Sequence, residues 1–337
     1  MNENKDKKHQ RRPRYKGTHP KKFSAKYKEH NPEKYKETIA KILEKGGTPA
    51  GMHRSICVNE ILDILNIKPQ DKGLDATLGY GGHTLEMLKK LDNKGHMYAL
   101  DADPIELEKT RKRLNDQGYG PDVLTIINTN FQNIDILAMD AGHFDFVLAD
   151  LGLSSMQIDN PSRGFSFKSD GPLDLRLNPE KGIPANLRLQ ELSQDEIEGM
   201  LIENADEPYA KEIAKEIINS YRKGEMINTT KSFYEVIKKA LSFLPKDQKD
   251  KLIKKSAQRS FQALRIDVNH EFEVLYDFLE NRPHILDPGA RVAILSFHST
   301  PWHTKKNKLS ADKFFMTSFQ PDNKQTTIEY LNSKNFS

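Results

Sequence analysis

The residues best suited to chemistry in this chain begin with Asp75-Ala-Thr-Leu-Gly79-Tyr-Gly81-Gly82-His83, a glycine-rich turn between an apolar run and a helical stretch. Glycines at such a turn let a ligand approach the main chain closely, and a turn that opens onto a helix N-terminus presents amide donors lacking intrahelical partners. Asp101 follows nineteen residues after Gly82, at the end of the next apolar run. A carboxylate there is placed to accept hydrogen bonds from ribose hydroxyls. The dinucleotide fingerprint G-x-G-x-x-G fails, because Thr84 stands where its last glycine would be. The combination predicts a nucleoside site without a pyrophosphate cradle, and S-adenosylmethionine is a nucleoside of that kind. A tight structural turn in a flavodoxin-like domain is the alternative that these residues leave open.

The elements that must position these groups are legible as an alternation. Leu74 to Leu78, Met97 to Leu100, Val123 to Ile127 and Phe144 to Ala149 are near-continuous apolar runs of the buried-strand type. Between them lie the helix-like stretches Thr84 to Leu91, Pro104 to Asn115 and Asn133 to Ala141, with Asp103 as an N-cap before a proline at the first helical position. A strand-helix series of this kind predicts an α/β fold with a doubly wound parallel sheet. After the fourth strand the alternation stops. Ser193 and Glu196 form a capping box, and Ile213, Ala214, Ile217 and Ile218, then Phe233, Val236, Ile237 and Ala240, repeat at helical spacing. Residues 159–255 therefore read as a helical insert at the carboxyl edge of the sheet, where open α/β sheets bind ligands. An amphipathic helix from Phe261 to Leu279 leads back to a strand, Arg291 to Phe297, preceded by the turn Asp287-Pro288-Gly289.

Composition narrows the class. An apolar share of 36% with 30% charged residues describes a soluble globular protein with some disordered length. A single cysteine, Cys57, leaves no intrachain disulfide, so a cytoplasmic setting is expected. No apolar run approaches the roughly 20 residues of a membrane span, and Asn2 to Lys5 do not open a secretory signal. The net charge of +4 is unevenly spread. Residues 1–36 hold thirteen Lys and Arg against Glu3, Asp6, Glu29 and Glu33, a balance of +9 that leaves −5 for the rest of the chain. Tyr15, Phe23, Tyr27 and Tyr35 lie among these cations, which suits a phosphate backbone and equally a solvated terminus without a fixed partner.

Longer strings carry a resemblance. His53-Arg-Ser-Ile, Leu74 to His83, Ala99-Leu-Asp-Ala-Asp-Pro104, Asp150-Leu-Gly-Leu-Ser-Ser-Met-Gln-Ile-Asp159, Arg163-Gly-Phe-Ser-Phe167, Asp170 to Arg176, Phe261 to Asn269 and Ser296-Phe-His-Ser299 occur in this order. In that order they resemble the RsmH (MraW) family of 16S rRNA cytosine-N4 methyltransferases, over about residues 53 to 299. The resemblance implies a Rossmann-like class I methyltransferase with a helical domain inserted between the fourth and fifth strands. It also implies S-adenosylmethionine as cofactor and a decoding-centre cytosine of 16S rRNA, or of the assembled small subunit, as target. Family cofactor contacts match Gly81, Gly82, His83, Asp101, Phe131, Asp150 and Gln157. The division expected is a basic extension at 1–50, a methyltransferase domain at 51–158 and 256–300, a helical substrate-recognition insert at 159–255 and a divergent tail at 301–337. The tail is called divergent because Thr300-Pro-Trp-His-Thr-Lys-Lys replaces the Leu-Glu-Asp-Arg of the family after the His-Ser pair. A homodimer is compatible with the resemblance.

Cytosine N4 donates its lone pair into the ring and is a poor nucleophile, so an enzyme for it must align the amine with the methyl donor and take a proton. Asp150, at the carboxyl end of the fourth strand, is the candidate acceptor, with cofactor contact or capping of the strand turn as its other reading. His298 is a second candidate for proton removal, or a structural histidine. Phe165 beside Arg163 could stack a splayed-out base, whereas Phe167 reads as a core plug. Arg163, Asp174 and Arg176 fit either phosphate contact or a buried ion pair. Arg265 and Asn269 share a helix face and could reach RNA or the insert. No metal-ligand spacing is visible. Two other classes remain open: a catalytically impaired RNA-binding relative with a disrupted C-terminus, and a DNA or small-molecule amino methyltransferase. Against a DNA enzyme, Asp150-Leu-Gly-Leu replaces the (Asp/Asn/Ser)-Pro-Pro-aromatic run typical of that class.

Overall fold

The computed structural model describes residues 55–281, 284–296, 313–318 and 327–332. The basic extension at 1–50 and His298 lie outside them, as does most of the tail beyond residue 300. Five parallel strands form the frame: β1 (Lys72–Asp75), β2 (His96–Asp101), β3 (Leu124–Asn128), β4 (Phe144–Leu151) and β5 (Leu286–Ser296). Two antiparallel strands, β6 (Lys313–Ser318) and β7 (Thr327–Asn332), extend it beyond β5, giving the order β3-β2-β1-β4-β5-β6-β7. The segment expected to be a divergent tail thus contributes two strands to the sheet. The strand order reverses between β1 and β4, and it is at such a crevice that doubly wound sheets bind ligands.

Helices α1 (Val58–Leu65), α2 (Gly82–Leu91), α3 (Pro104–Asn115) and α4 (Ile134–Ala141) flank the sheet. The predicted limits of α3 hold because Asp103 caps it: its Oδ1 accepts from the N–H groups of Ile105 (3.0 Å) and Glu106 (3.4 Å), with Pro104 at the first turn. The first strand ends at Asp75 rather than at Leu78, since the Asp75 carboxylate turns back to accept from the Thr77 N–H. The sheet buries one apolar layer on each face. Met97, Phe146 and Leu148 face one side with Met87 and Leu107, and Leu74, Val147 and Val292 face the other with Phe144 and Phe278.

After β4 come the short α5 (Ser155–Asp159) and then α6 (Ala185–Glu191), α7 (Gln194–Ala205), α8 (Ala210–Arg222), α9 (Thr230–Ala240) and α10 (Lys249–Asn269). These helices build a third apolar cluster, with Leu189, Ile197, Ile213, Phe233 and Leu264 among its buried members. The capping box of Ser193 and Glu196 is formed, as the sequence predicts. The cluster draws residues from Phe165 to Leu264, so its last helix runs past residue 255, where the sequence suggested the insert ends.

Two expectations are corrected. The single helix from Phe261 to Leu279 is two, α10 and α11 (Glu271–Asn281), separated by His270 in the left-handed region at φ 51. The break lets one apolar stripe serve two cores: Phe261 and Leu264 pack in the helical cluster, Leu275 and Phe278 against the sheet. The turn expected at Asp287 to Gly289 is an irregularity inside β5, where the pairing with β4 shifts between Phe144 and Phe146.

Candidate active site

The carboxyl ends of β1, β2 and β4 bring three aspartates to one edge. Asp75 is buried at the end of β1, its Oδ2 accepting from the Thr84 hydroxyl (2.6 Å) and its Oδ1 from the Thr77 N–H (3.0 Å). Burial, the leading cause, pushes its carboxyl above the ordinary range against the pull of these bonds. Thr77 also accepts the Asp150 N–H on its hydroxyl at 2.6 Å, which joins the ends of β1 and β4.

The glycine turn is shaped by Asp101. The Gly79 N–H donates to its Oδ2 and the Asp103 N–H to its Oδ1, each at 2.8 Å, so one carboxylate fixes both the β1 and the β2 loops. Gly81 sits at φ +69 before α2, and a Cβ there would lie 2.9 Å from the Thr110 methyl. A larger residue is excluded by conformation and by space. Burial raises the Asp101 carboxyl to about 7, with the charges of Asp103 and Asp75 adding to the effect and the two N–H donors opposing it.

Asp150 closes the other side of the crevice. Its side chain is 31% exposed, and its Oδ2 lies 3.7 Å from Nδ1 of His83, which is 9% exposed. The Ile56 carbonyl, an obligate acceptor, lies 2.9 Å from His83 Nε2. That ring nitrogen therefore carries the proton, and in neutral His83 the Nδ1 lone pair faces Asp150. Desolvation raises Asp150 to about 6, with a positive charge on His83, when it carries one, opposing the rise and Asp75 adding to it. Phe131, on the 3-10 turn Phe131–Asn133 after β3, is half-buried and packs edge-on against Phe278 at 5.4 Å.

The remaining described site candidates have partners within the protein. Gln157 Oε1 accepts from the N–H and the hydroxyl of Ser154 (both 3.0 Å) in the capping box of α5, and its Nε2 donates to Asp103 Oδ2 at 2.9 Å. Arg163, expected at RNA, is instead buried: Nη1 donates to Asp103 Oδ2 at 2.7 Å, and Nη2 to the carbonyls of Arg176 (3.0 Å) and Leu177 (2.7 Å). Of the two readings left open for it, phosphate contact or buried ion pair, this geometry is that of the ion pair. Arg176 forms a separate pair, bidentate on Asp174. Phe165, proposed as a stacking platform, is 7% exposed within the helical cluster under the Arg163 guanidinium. Phe167 stacks on Tyr234, as expected of a plug.

Arg265 is held bidentate by Glu271 (2.7 and 2.8 Å). Asn269 Nδ2 donates to the Leu175 carbonyl and its Oδ1 accepts the Leu177 N–H, both at 2.7 Å. Of the two destinations that sequence left open for this pair, RNA or the insert, Asn269 reaches the insert. It clamps Leu175, a non-glycine residue at φ 63. Sequence reasoning missed the wider roles of Asp75, Thr77 and Asp103. Asp103 was legible as a helix cap, but its second oxygen collects Gln157 and Arg163 from distant segments.

A parallel sheet that reverses order at β1 and β4, with carboxylates on the strand ends around a glycine turn and a helical domain after β4, defines a class I methyltransferase of Rossmann-like fold. The chain belongs to the MraW methylase family, whose model matches residues 50–323 and so continues past residue 299, where the motif resemblance ended. It is 64% identical over 297 residues to "Ribosomal RNA small subunit methyltransferase H 1" of Lachnoclostridium phytofermentans, covering 88% of this chain and 81% of the relative. Identity to "Ribosomal RNA small subunit methyltransferase H 2" of Alkaliphilus metalliredigens is 62% over 297 residues, covering 88% and 85%. A more distant relative, "Ribosomal RNA small subunit methyltransferase H" of Thioalkalivibrio sulfidiphilus, is 40% identical over 254 residues, covering 75% and 78%.

Proposed function

We propose that this chain transfers a methyl group from S-adenosylmethionine to the N4 amine of a cytosine in small-subunit rRNA, at the decoding centre, in the cytoplasm. The observation that carries the reading is the trio Asp75, Asp101 and Asp150 around the Gly79 to Gly81 turn. An edge of hydrogen-bond-accepting carboxylates, with Asp150 ionised above about pH 6, beside a glycine turn suits a positively charged nucleoside and disfavours a pyrophosphate. The donor set therefore fits the cofactor. Each Asp101 oxygen keeps a lone pair beyond its backbone donor, so the side chain can accept from ribose hydroxyls while it shapes the turn. Phe131 supplies an apolar ring at the neighbouring strand end for a base. When bound, S-adenosylmethionine supplies an electrophilic methyl group on a sulfonium.

The chain's own contribution is orientation and removal of a proton. Asp150, ionised above about pH 6, accepts a hydrogen bond from the N4 amine, which aims the nitrogen lone pair away from the carboxylate and toward the methyl donor. As nitrogen gains positive charge the proton passes to Asp150. His83 Nδ1 lies 3.7 Å from the carboxyl oxygen that takes the proton. The rRNA substrate follows from relatives that carry that name at 64% and 62% identity. The test is methyl transfer by the purified chain to small subunits that lack the modification, with the methylated nucleoside mapped by mass spectrometry. Methylation confined to cytosine N4 supports the proposal, and a folded, cofactor-retaining chain that leaves every cytosine unmodified would refute it.

A further inference from the structure

We propose that the solvent face of the first three turns of α10 docks the phosphate backbone of the substrate RNA, at a distance from the reacting base. The inference rests on the rRNA reading above and adds the surface that holds the RNA. Residues 246–259 carry Lys246, Lys249, Lys251, Lys254, Lys255 and Arg259 against Asp247 and Asp250, a balance of +4 in a chain that is net acidic beyond residue 36. At 3.6 residues per turn, Lys251, Lys254, Lys255, Gln258 and Arg259 fall on one side of the helix, while Ile253, Ser256, Ala257, Ser260 and Phe261 are buried on the other. One carboxylate, the exposed Asp250, borders this side, one residue before Lys251 and four before Lys254, and among the described residues it forms no ion pair with either.

Among the described residues some surface lysines elsewhere are paired and others, such as Lys90 and Lys211, are not, so what sets this face apart is the grouping of its cations. Lys89 meets Glu86, Lys109 meets Glu106 and Lys238 meets Glu235, each within its own helix. Such i,i+3 pairs cancel locally and describe an ordinary solvated face. Among the described residues Lys251, Lys254 and Lys255 have no carboxylate within ion-pair distance. The acids of the adjacent α7, Glu198 and Glu203, do not pair with them. Arg259, at the margin, is 40% exposed and lies 3.9 Å from the buried Glu207. Unpaired like charges in a row repel one another, and a polyanion is the partner that relieves this.

The chemistry favours RNA over an acidic protein. The exposed side of α10 from Lys251 to Arg259 offers no apolar side chain, whereas protein interfaces depend on buried aromatic or aliphatic anchors. Eight residues of helix span about 12 Å, and a nucleic-acid duplex presents one charge per roughly 1.7 Å of axis, so several phosphates lie within reach. The face is remote from the chemistry: Lys251 is about 27 Å along the helix from Asn269, which binds the segment that Arg163 ties to Asp103. Binding energy gained there positions a large substrate without touching its reacting base.

The experiment measures binding of the full chain to an unmodified 16S rRNA transcript between 50 and 200 mM salt. It compares wild type with K251Q/K254Q/K255Q and with K251E/K254E/K255E, using S-adenosylmethionine titration as the control for folding. The neutral triple variant is expected to weaken RNA binding at least about tenfold at low salt and to reduce the log–log salt slope by about 2 to 3, near 0.9 per lost contact. The basic N-terminal extension contributes equally to both chains and drops out of the difference. Unchanged affinity and slope in a cofactor-binding variant would overturn the proposal. So would a loss seen only with assembled subunits and never with naked RNA, which would assign the face to an acidic ribosomal protein. Wild-type chain that shows no salt-dependent RNA binding would instead sink the rRNA reading, and this surface with it.

Discussion

Replacing Arg163 with Met tests how the two halves of the molecule are joined. In the wild type the guanidinium makes three hydrogen bonds, one to a carboxylate whose side chain is fully buried and two to carbonyls of the segment entering the helical domain. Removing one partner of a buried pair costs about 3–5 kcal/mol, because the remaining charge stays desolvated. Asp103 keeps its bonds from Ile105, Glu106 and Gln157, which places the expected loss at the lower end, about 3 kcal/mol. Pairing R163M with Asp103→Asn removes the stranded charge. The double variant should therefore lose less than the sum of the singles, with a coupling of at least about 1.5 kcal/mol, within the range for residues in one network. Urea unfolding of the four chains at pH 7, read by circular dichroism, measures the cycle. If R163M costs under about 1 kcal/mol while its RNA affinity and salt slope fall, the side chain is a phosphate contact and the structural reading is wrong.

Three further outcomes follow from the site. Asp150→Asn should lower kcat by roughly 10² to 10⁴-fold, measured at saturating cofactor so that any loss of cofactor affinity is separated from it. The wild-type rate should fall with unit slope below about pH 6, because only the ionised carboxylate accepts the proton, and N4 methylation at an unchanged rate in the variant would end that assignment. Cofactor binding should weaken by up to tenfold per pH unit as pH falls below about 7, the value to which burial lifts Asp101, since the ionised form accepts from hydroxyls. Calorimetric titration across pH 5.5 to 8.5 checks this, and the trend should vanish in Asp101→Asn. Gly81→Ala should destabilise the protein by about 1–2 kcal/mol from its left-handed backbone alone. It should also cost cofactor affinity, because the new methyl is 2.9 Å from the Thr110 methyl; a variant of wild-type melting temperature and affinity would show that the turn is not constrained as described.

The parallel sheet, the glycine turn and the carboxylates at its edge were legible because each is encoded locally. An apolar run, a residue that tolerates φ > 0 and a capping aspartate are read within a few positions of one another, as the limits of α3 show. The break at His270 was not legible, since the apolar stripe keeps its period through it; what changes is the core each half faces. The motif resemblance likewise stopped near residue 299, while the sheet gains β6 and β7 beyond it.

By itself the sequence determined the fold class, the glycine turn at the carboxyl edge of the sheet and the aspartates at the strand ends beside it. Only the tertiary structure decided which of the charged and aromatic side chains face the crevice and which brace it. Arg163 and Asp103 are 60 residues apart and Asn269 and Leu175 are 94 apart, and in each case a buried polar group is satisfied by a partner that no local pattern names. A desolvated charge or carbonyl must find its complement wherever the chain folds back, so the role of such a residue is fixed by packing and not by its neighbours in sequence.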